Sequence, residues 1–431
     1  MSSISHHEKS YYSESCSLDL YPSLQENVNA DVCIIGGGFS GINTAIELAE
    51  RGVSVVLIEA KRIGWGASGR NGGQLIQGFG HDVEQFRNRI GDQGVRTLKL
   101  MGIEAVDIVR ERIEKNGIQC DLRWGYCDLA NKPAHLEHFK YRADDLQSLG
   151  YAHLTKLVQR DEIRNFVGSE LFIGGLVDMG SGHLHPLKLL TAEAQLAARL
   201  GVRIFEGTPA YAVMTSQDGV VVSTQTGLIR ANNAVIACNA YINGLEPTLA
   251  SKVLPAGSYI VATEPLSLQQ QQNLLPHNMA MSDNQVGLNY FRLSADGRMM
   301  FGGACHYSGR DPKDIAAYMA PSMHKVFPQL KTVKTDYAWS GMIGIGANRL
   351  PQVGRLTNRP QIYYAQAYSG HGVNATHMAA RLVAESIVGT PSDRFLMLNS
   401  IPHLTFPGGR YLRSPLLALG MLWHRMRDFA R

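Results

Sequence analysis

The 431-residue chain lacks several features that would assign it to particular classes of protein. No run of about eighteen apolar residues occurs, so we expect no membrane-spanning helix. The six cysteines form no Cys-x-x-Cys pair, and we expect no zinc site or other bound metal. A net charge of +4 without a long run of Lys and Arg gives no indication of nucleic acid binding. What remains is a soluble globular protein.

The expected location is the cytoplasm. The first thirty or so residues are polar and lack the apolar run of a secretion signal. Scattered cysteines are typical of reduced thiols in a reducing compartment. The length exceeds what a single small core can organise, so two interleaved domains are expected.

A glycine-rich turn lies between two apolar runs near the N-terminus. Residues 31–36 and 54–59 are typical of buried parallel strands, and 42–49 have a helical pattern. In this βαβ unit Gly36, Gly38 and Gly41 form a Gly-x-Gly-x-x-Gly motif. Its glycines permit a tight turn, close approach of a pyrophosphate and close packing of helix on strand. We therefore predict a dinucleotide site that includes Phe39 and Ser40.

An acidic residue ends the second predicted strand. Glu59, followed by Ala60, stands about twenty residues beyond the glycines, where a carboxylate binds the hydroxyl pair of a ribose. A carboxylate at this place disfavours the 2′-phosphate of NADP, which leaves NAD and FAD.

The loop that follows distinguishes NAD from FAD. Residues 62–74 are dense in glycine, serine and asparagine, and NAD enzymes need no such loop after the second strand. Its N–H groups and small side chains suit a pyrophosphate and a flat ring that approach the main chain closely. A flexible glycine loop is the alternative, which the central arginine and asparagine disfavour. The predicted FAD contacts here are Arg62, Gly66, Ala67, Ser68, Arg70, Asn71, Gly72, Gly73 and Gln74.

A second glycine-rich turn lies near the other end of the chain. A predicted strand at 362–366 is followed by Gly370, His371, Gly372 and Val373, and then by a predicted helix over 374–388. The helix N-terminus, which carries about half a positive charge, is placed to stabilise the anion of a reduced flavin. His371 is the first catalytic candidate, and a structural loop histidine is the alternative.

These motifs resemble the superfamily of D-amino-acid oxidase, glycine oxidase and sarcosine oxidase. The resemblance extends over 10–12, 181–186, 290–293, 351–355, 370–373 and 406–410, and so over nearly the whole chain. It implies an α/β protein of two domains: a Rossmann-like FAD-binding domain in discontinuous pieces, and an antiparallel-sheet substrate domain. We assign 1–95, 160–238 and 338–431 to the first and 96–159 and 239–337 to the second. Ala210 and Gly341 are further implied FAD contacts.

The resemblance also implies a reaction. Such enzymes transfer a hydride from the C–H beside an amine nitrogen to flavin N5; the imine hydrolyses, and O2 is reduced to H2O2. The expected substrate is a gamma-glutamylated polyamine such as gamma-glutamylputrescine. The alternatives are a secondary amine or imino acid (L-pipecolate, proline or sarcosine), a dehydrogenase that passes electrons to a quinone, and a flavin-binding protein without turnover.

Further side chains are candidates for contact with the substrate. His183 and His185 precede a predicted helix near the flavin; a site role for His183 competes with capping of that helix, and no third metal ligand has suitable spacing. Arg292 could bind a carboxylate, with a core strand as the alternative environment. The aromatic candidates for an amine cage are Tyr259, Tyr290, Trp339 and Tyr368.

Two remaining expectations concern the end of the chain. Residues 337–342 contain no cysteine, so we expect noncovalent FAD. Residues 406–431 combine leucines with arginines, a pattern of peripheral membrane contact or, preferably, of packing on the protein's own domain. Oligomeric state is left open by the sequence.

Overall fold

The computed structural model describes residues 6–285, 287–306, 311–389 and 391–409, so the predicted amphipathic segment lies almost wholly outside the described residues. The helices are α1 (Tyr11–Glu14), α2 (Phe39–Ala49), α3 (Arg87–Asn116), α4 (Pro133–Ser148), α5 (Pro186–Arg199), α6 (Pro247–Ala250), α7 (Leu268–Leu274), α8 (Ile315–Val326), α9 (Ala375–Val388) and α10 (Asp393–Ser400). The strands up to residue 236 are β1 (Val28–Ile35), β2 (Val55–Ile58), β3 (Gln74–Leu75), β4 (Arg123–Ala130), β5 (Thr155–Val158), β6 (Gly174–His183), β7 (Arg203–Phe205), β8 (Ala212–Ser216), β9 (Gly219–Ser223) and β10 (Leu228–Ile236). The later strands are β11 (Leu254–Pro265), β12 (Ala280–Asp283), β13 (Tyr290–Leu293), β14 (Arg298–His306), β15 (Thr335–Ile345), β16 (Gln352–Leu356) and β17 (Arg359–Gln366).

The first sheet carries the predicted nucleotide motifs. Its order is β16-β17-β10-β1-β2-β7, with β9 and β8 attached to β10, and β17, β10, β1, β2 and β7 are parallel. β1 and β2 are continuous apolar runs because both faces of this sheet are covered. Helices α2, α3, α5 and α9 pack on one face, and the β8–β9 hairpin contributes to the core on the other. The predicted strands at 31–36, 54–59 and 362–366 are thus confirmed.

The second sheet forms a large, mostly antiparallel surface. Its order is β15-β11-β14-β13-β12-β4-β6-β3, with β5 attached to β6, and β12 pairs with β4 in parallel. Helix α8 packs against β11 and β15, and α4 packs against β5 and β6. The predicted fold class, with a Rossmann-like sheet and a separate antiparallel sheet, is confirmed.

Several elements, among them β3, β6, α3 and most of β15, pack with a sheet other than the one that the predicted domain boundaries give them. β6 falls in 160–238 and belongs to the second sheet. α3 falls mostly in 96–159, but Leu98, Met101, Ala105 and Val109 pack into the core beneath the first sheet. Helical periodicity identifies which face of α3 is buried and does not identify the sheet that covers it. The domain boundaries stay a prediction.

Two features are absent from the described residues. No described helix is long and apolar enough to cross a membrane. No group of three or more His, Cys, Asp or Glu side chains in this part of the chain could hold a metal ion.

Candidate active site

A cavity of about 1320 Å³ lies between the two sheets. This exceeds the roughly 300–1,000 Å³ usual for a pocket that holds one small ligand, so it has room for a dinucleotide and a substrate together. Most predicted site residues line it: Gly36, Gly38, Phe39, Ser40, Glu59, Ala60, Gly66, Ala67, Ser68, Arg70, Asn71, Gly72, Gln74, Ala210, Tyr290, Gly341, Tyr368, Gly370, His371, Gly372 and Val373.

The first glycine turn has the geometry expected of a dinucleotide site. Gly36 follows β1 with φ +117°, a value that favours glycine, and a Cβ there would lie 2.7 Å from the carbonyl oxygen of Ala237. A Cβ on Gly41 would overlap the carbonyl oxygen of Gly36, so the close approach of helix to strand requires glycine. Helix α2 begins at Phe39, and its N-terminus opens into the cavity.

Glu59 closes the nucleotide end of the cavity. Its Oε2 accepts a hydrogen bond from the Gly37 N–H at 2.7 Å, and its Oε1 accepts one from the Lys61 N–H at 2.8 Å. Burial raises the pKa of Glu59, against the lowering effect of these two N–H groups. The carboxylate is thus held in one orientation on the cavity wall, where it could receive ribose hydroxyls.

The loop after β2 is ordered by its own asparagine. The Asn71 amide donates to the carbonyl oxygens of Ala67 and Ser68 at 3.1 and 2.8 Å, and its oxygen accepts the Gly73 N–H at 2.8 Å. These bonds hold a 3₁₀ turn at Ala67–Gly69, as expected for a loop of defined conformation and not for a flexible glycine loop.

Arg70 in this loop has an unsatisfied donor. Its guanidinium lies 4.3 Å from the centroid of the Trp65 ring and is ion-paired with Glu8 at 2.8 Å. Its buried Nη2 has no hydrogen-bond partner among the described residues. Because a buried charged donor without a partner is costly, this atom on the cavity wall fits a group that accepts hydrogen bonds, such as a flavin dinucleotide.

The second glycine turn forms the opposite wall. The hydroxyl groups of Tyr368 and Ser40 lie 2.7 Å apart, which joins this turn to the first one. Residues 370–373 line the cavity immediately before α9, whose first turn leaves N–H groups that the helix does not use.

His371 in this turn is a neutral imidazole. Its Nε2 lies 3.0 Å from the carbonyl oxygen of Ile76, and only a nitrogen that carries the ring proton can donate to that oxygen. In the neutral ring Nε2 therefore carries the proton, and Nδ1 is the acceptor. Burial lowers the pKa of His371 to about 4, with a smaller contribution from His81. At neutral pH the residue therefore offers hydrogen bonding, and positive potential in this wall comes from α9.

Seven predicted site residues do not line the cavity. Gly41 and Gly73 instead provide close backbone packing, the latter against the carbonyl oxygen of Leu184. The seven are Gly41, Arg62, Gly73, His183, Tyr259, Arg292 and Trp339.

Arg292 does not serve as the predicted carboxylate anchor. Its buried guanidinium donates to the carbonyl oxygens of Gly72, Leu184 and Leu293 and to the hydroxyl of Tyr12, at 2.7 to 3.1 Å. The arginine therefore holds the loop of residues 62–74, here called the FAD loop, against Leu184, which follows β6, and against Tyr12 of the N-terminal segment. Successive side chains of β13 point to opposite faces of the sheet, and Arg292 points away from the cavity. The sequence pattern does not show which of the two faces lines the cavity.

The two histidines of the His-x-His motif contact backbone groups of the protein. His183 Nε2 lies 2.9 Å from the carbonyl oxygen of Asn278, and burial lowers the pKa of the ring to about 3. His185 is the N-cap of α5, where its Nδ1 accepts the Lys188 N–H at 3.1 Å. The capping alternative therefore describes His185. His183 does not line the cavity, and a catalytic role for it stays a prediction.

Three other predictions are corrected in the same way. Tyr259 is fully buried in the core beneath the second sheet. Trp339 supports the FAD loop from behind, since its Nε1–H donates to the carbonyl oxygen of Arg70 at 3.0 Å. Arg62 is ion-paired with the buried Glu206 at 2.7 Å, which fixes the loop to the first sheet.

The cavity also has an arm that the sequence analysis missed. It is lined by β4, β12 and one face of α4, where His138, Tyr141, Arg142, Asp145 and Leu149 lie at helical spacing. The available signal was the polar character of α4 at intervals of three and four residues, which is also the pattern of an exposed helix face. Only packing distinguishes the two.

The fold and the site together define a flavin-dinucleotide enzyme, and comparisons with known proteins agree. The family model of FAD-dependent oxidoreductases of the D-amino-acid oxidase type matches residues 31–386. Gamma-glutamylputrescine oxidoreductase of Escherichia coli is 39% identical over 424 residues, which cover 98% of each chain. The probable oxidoreductase OrdL of Haemophilus influenzae is 37% identical and covers 98% of this chain and 97% of its own. Glycine oxidase of Bacillus cereus shares the fold, with a TM-score of 0.70 and 21% identity over 85% of this chain and 97% of that one.

The chain belongs to the D-amino-acid oxidase family of FAD-dependent oxidoreductases. It is an enzyme that acts on the C–N bond of an amine, with FAD as cofactor. The predicted resemblance, cofactor and enzyme class are thereby confirmed.

Proposed function

We propose that this enzyme oxidises a gamma-glutamylated polyamine, gamma-glutamylputrescine, at its free primary amine, with O2 as acceptor and H2O2 as product. The observation that carries the proposal is the likeness over nearly full length to the Escherichia coli gamma-glutamylputrescine oxidoreductase. The cavity supports it, because the arm along α4 extends beyond the nucleotide and loop regions and gives room for a long substrate.

The described residues have definable roles in such a reaction. FAD, when bound, supplies the acceptor for the electrons and hydrogen removed from the C–H beside the nitrogen. Gly36, Glu59 and Arg70 would bind the dinucleotide, and the N-terminus of α9 would supply positive potential at the flavin end. His371 would orient a group through its neutral imidazole. We further propose that FAD is noncovalent, because β15 contains no cysteine.

An anaerobic bleaching panel tests the substrate. Purified yellow protein should lose its flavin colour with gamma-glutamylputrescine and keep it with L-pipecolate, proline and sarcosine. Bleaching by an imino acid alone would instead establish the secondary-amine alternative. No bleaching across the panel would favour a binding protein. Formation of H2O2 in air, compared with reduction of a soluble quinone, distinguishes oxidase from dehydrogenase.

Replacement of His371 by Ala removes the ring that is held by the Ile76 carbonyl and offers Nδ1 as an acceptor. We expect single-turnover flavin reduction to slow by at least about tenfold, less than the roughly 10²-fold cost of a misplaced group. His371→Gln keeps an amide donor for the carbonyl oxygen of Ile76 and should recover part of the rate. Stopped-flow absorbance measures both variants, normalised to FAD content. An unchanged reduction rate in the alanine variant would remove His371 from the mechanism.

A further inference from the structure

Arg142 on α4 presents a charged group to the cavity that the proposed roles leave unassigned. Its side chain lines the cavity and keeps 29% of its area accessible. Among the described residues its one hydrogen-bond partner is Asp128, whose Oδ2 accepts from Nη1 at 2.5 Å. A guanidinium has five N–H donors in a planar fork, so donors remain for a ligand in the cavity.

Asp128 orients this guanidinium. Its Oδ1 accepts from the hydroxyl of Tyr126 at 2.8 Å and from that of Ser282 at 3.4 Å, while Oδ2 accepts from Arg142. The Asp128 carboxylate raises the pKa of Arg142, which keeps the guanidinium charged. Asp128 is thus a positioning residue, and its oxygens are occupied by protein donors.

A negative group lies one helical turn further along α4. Asp145 lines the same cavity, and its Oδ1 is ion-paired with Lys99 at 2.8 Å. Lys99 is also ion-paired with Glu84 at 2.6 Å, and all three side chains line the cavity. Glu84 is in turn ion-paired with Arg87, whereas Asp145 contacts Lys99 through Oδ1, which leaves its Oδ2 for a ligand. Because positions i and i+3 are neighbours on a helix, α4 presents the guanidinium of Arg142 beside the carboxylate of Asp145.

Arg142 and Asp145 lie apart from the elements that carry the nucleotide turn. Gly36 and Glu59 follow strands of the first sheet, whereas α4 packs against β4, β5 and β6 of the second. An arginine fork matches a carboxylate in a bidentate way, and the carboxylate of Asp145 beside it attracts an ammonium. A carboxylate and an ammonium on one carbon form the head of an α-amino acid.

We propose that Arg142 and Asp145 bind the α-amino-acid head of the substrate, with the carboxylate on Arg142 and the ammonium beside Asp145. The inference rests on the proposed function and deepens it, since it assigns residues that select an amine with a zwitterionic head. Arg142 takes the role that the sequence suggested for Arg292.

Calorimetric titration of the FAD-loaded enzyme with gamma-glutamyl-butylamide tests the assignment to Arg142. This probe carries the head and lacks the terminal primary amine at which oxidation is proposed, so binding is measured without turnover. Arg142→Gln should bind the probe roughly 10- to 100-fold more weakly, as expected for the loss of a charge-assisted hydrogen bond. Lys140→Gln removes a cation from the exposed side of the same helix and should bind like the wild type. Equal affinity in the Arg142 variant, or no binding by the wild type, would overturn the inference.

A second probe keeps the test decisive if Arg142→Gln does not fold. Glutaric acid monobutylamide lacks only the ammonium, so the wild type should prefer gamma-glutamyl-butylamide and Asp145→Asn should lose that preference. An undiminished preference in Asp145→Asn would contradict the assignment. The proposed function is judged separately: if wild type binds the probe through Arg142 but is not bleached by gamma-glutamylputrescine, the substrate proposal fails and the head-binding site stands.

Discussion

Gly41→Ala is expected to bind FAD more weakly than the wild type and to retain less flavin after purification. The new Cβ would overlap the carbonyl oxygen of Gly36, and since both groups belong to backbone, strand and helix must separate. Overpacking of this kind costs about 1–3 kcal/mol. If the strain is present in the FAD-bound conformation and relieved in the apoprotein, FAD affinity should fall roughly 10- to 100-fold. The measurement is flavin absorbance per chain after gel filtration, with the dissociation constant from titration of the apoprotein.

Gly389→Ala provides the matched control. A Cβ at this position, at the end of α9, meets its nearest atom at an ordinary 3.8 Å. The control should retain FAD like the wild type. A yellow Gly41→Ala protein with unchanged affinity would show that the first turn does not hold the dinucleotide as proposed.

The free energy of unfolding is expected to fall steeply as the pH drops below about 6.5. Burial lowers the pKa of several histidines from 6.5 to about 3 for His183 and His185 and to about 4 for His7, His371 and His403. Between the folded and unfolded pKa values of these histidines, the unfolded chain binds more protons than the folded chain. Their contribution to the free energy of unfolding is therefore complete above pH 6.5 and is progressively lost as the pH falls towards 4. Thermal unfolding between pH 8 and 5 measures the effect.

His185→Asn isolates one of these groups. Asparagine is also a good N-cap, so α5 should keep its first turn while one titrating ring is removed. The variant should show a pH dependence smaller by about one proton near pH 5. A melting temperature that does not change between pH 7 and 5 in the wild type would contradict the whole expectation.

Local chemistry made the cofactor end predictable. The turn depends on backbone geometry at Gly36 and Gly41, and the acid depends on the position of Glu59 after a strand. Both features can be inferred from spacing along the chain. The same holds for the turn before α9, because a strand, glycines and a helix follow one another in sequence.

The substrate end was not predictable by the same reasoning. The local sequence does not show whether Arg292 or Arg142 is available to a ligand, yet Arg292 donates to the carbonyl oxygens of Gly72 and Leu184 while Arg142 faces the cavity. Which of them is available to a ligand depends on how α4 and β13 pack against the second sheet.

By itself the sequence determined the class of this protein: an FAD-dependent oxidoreductase with a nucleotide turn at Gly36 and an acid at Glu59. The tertiary structure alone decided which polar side chains face the cavity. It placed Arg142 and Asp145 there and directed Arg292, His183 and Trp339 to the protein's own backbone. The reason is physical. A turn motif is completed by neighbours in the chain, whereas a substrate site is assembled from strands and helices distant in sequence, whose side chains are oriented only by packing.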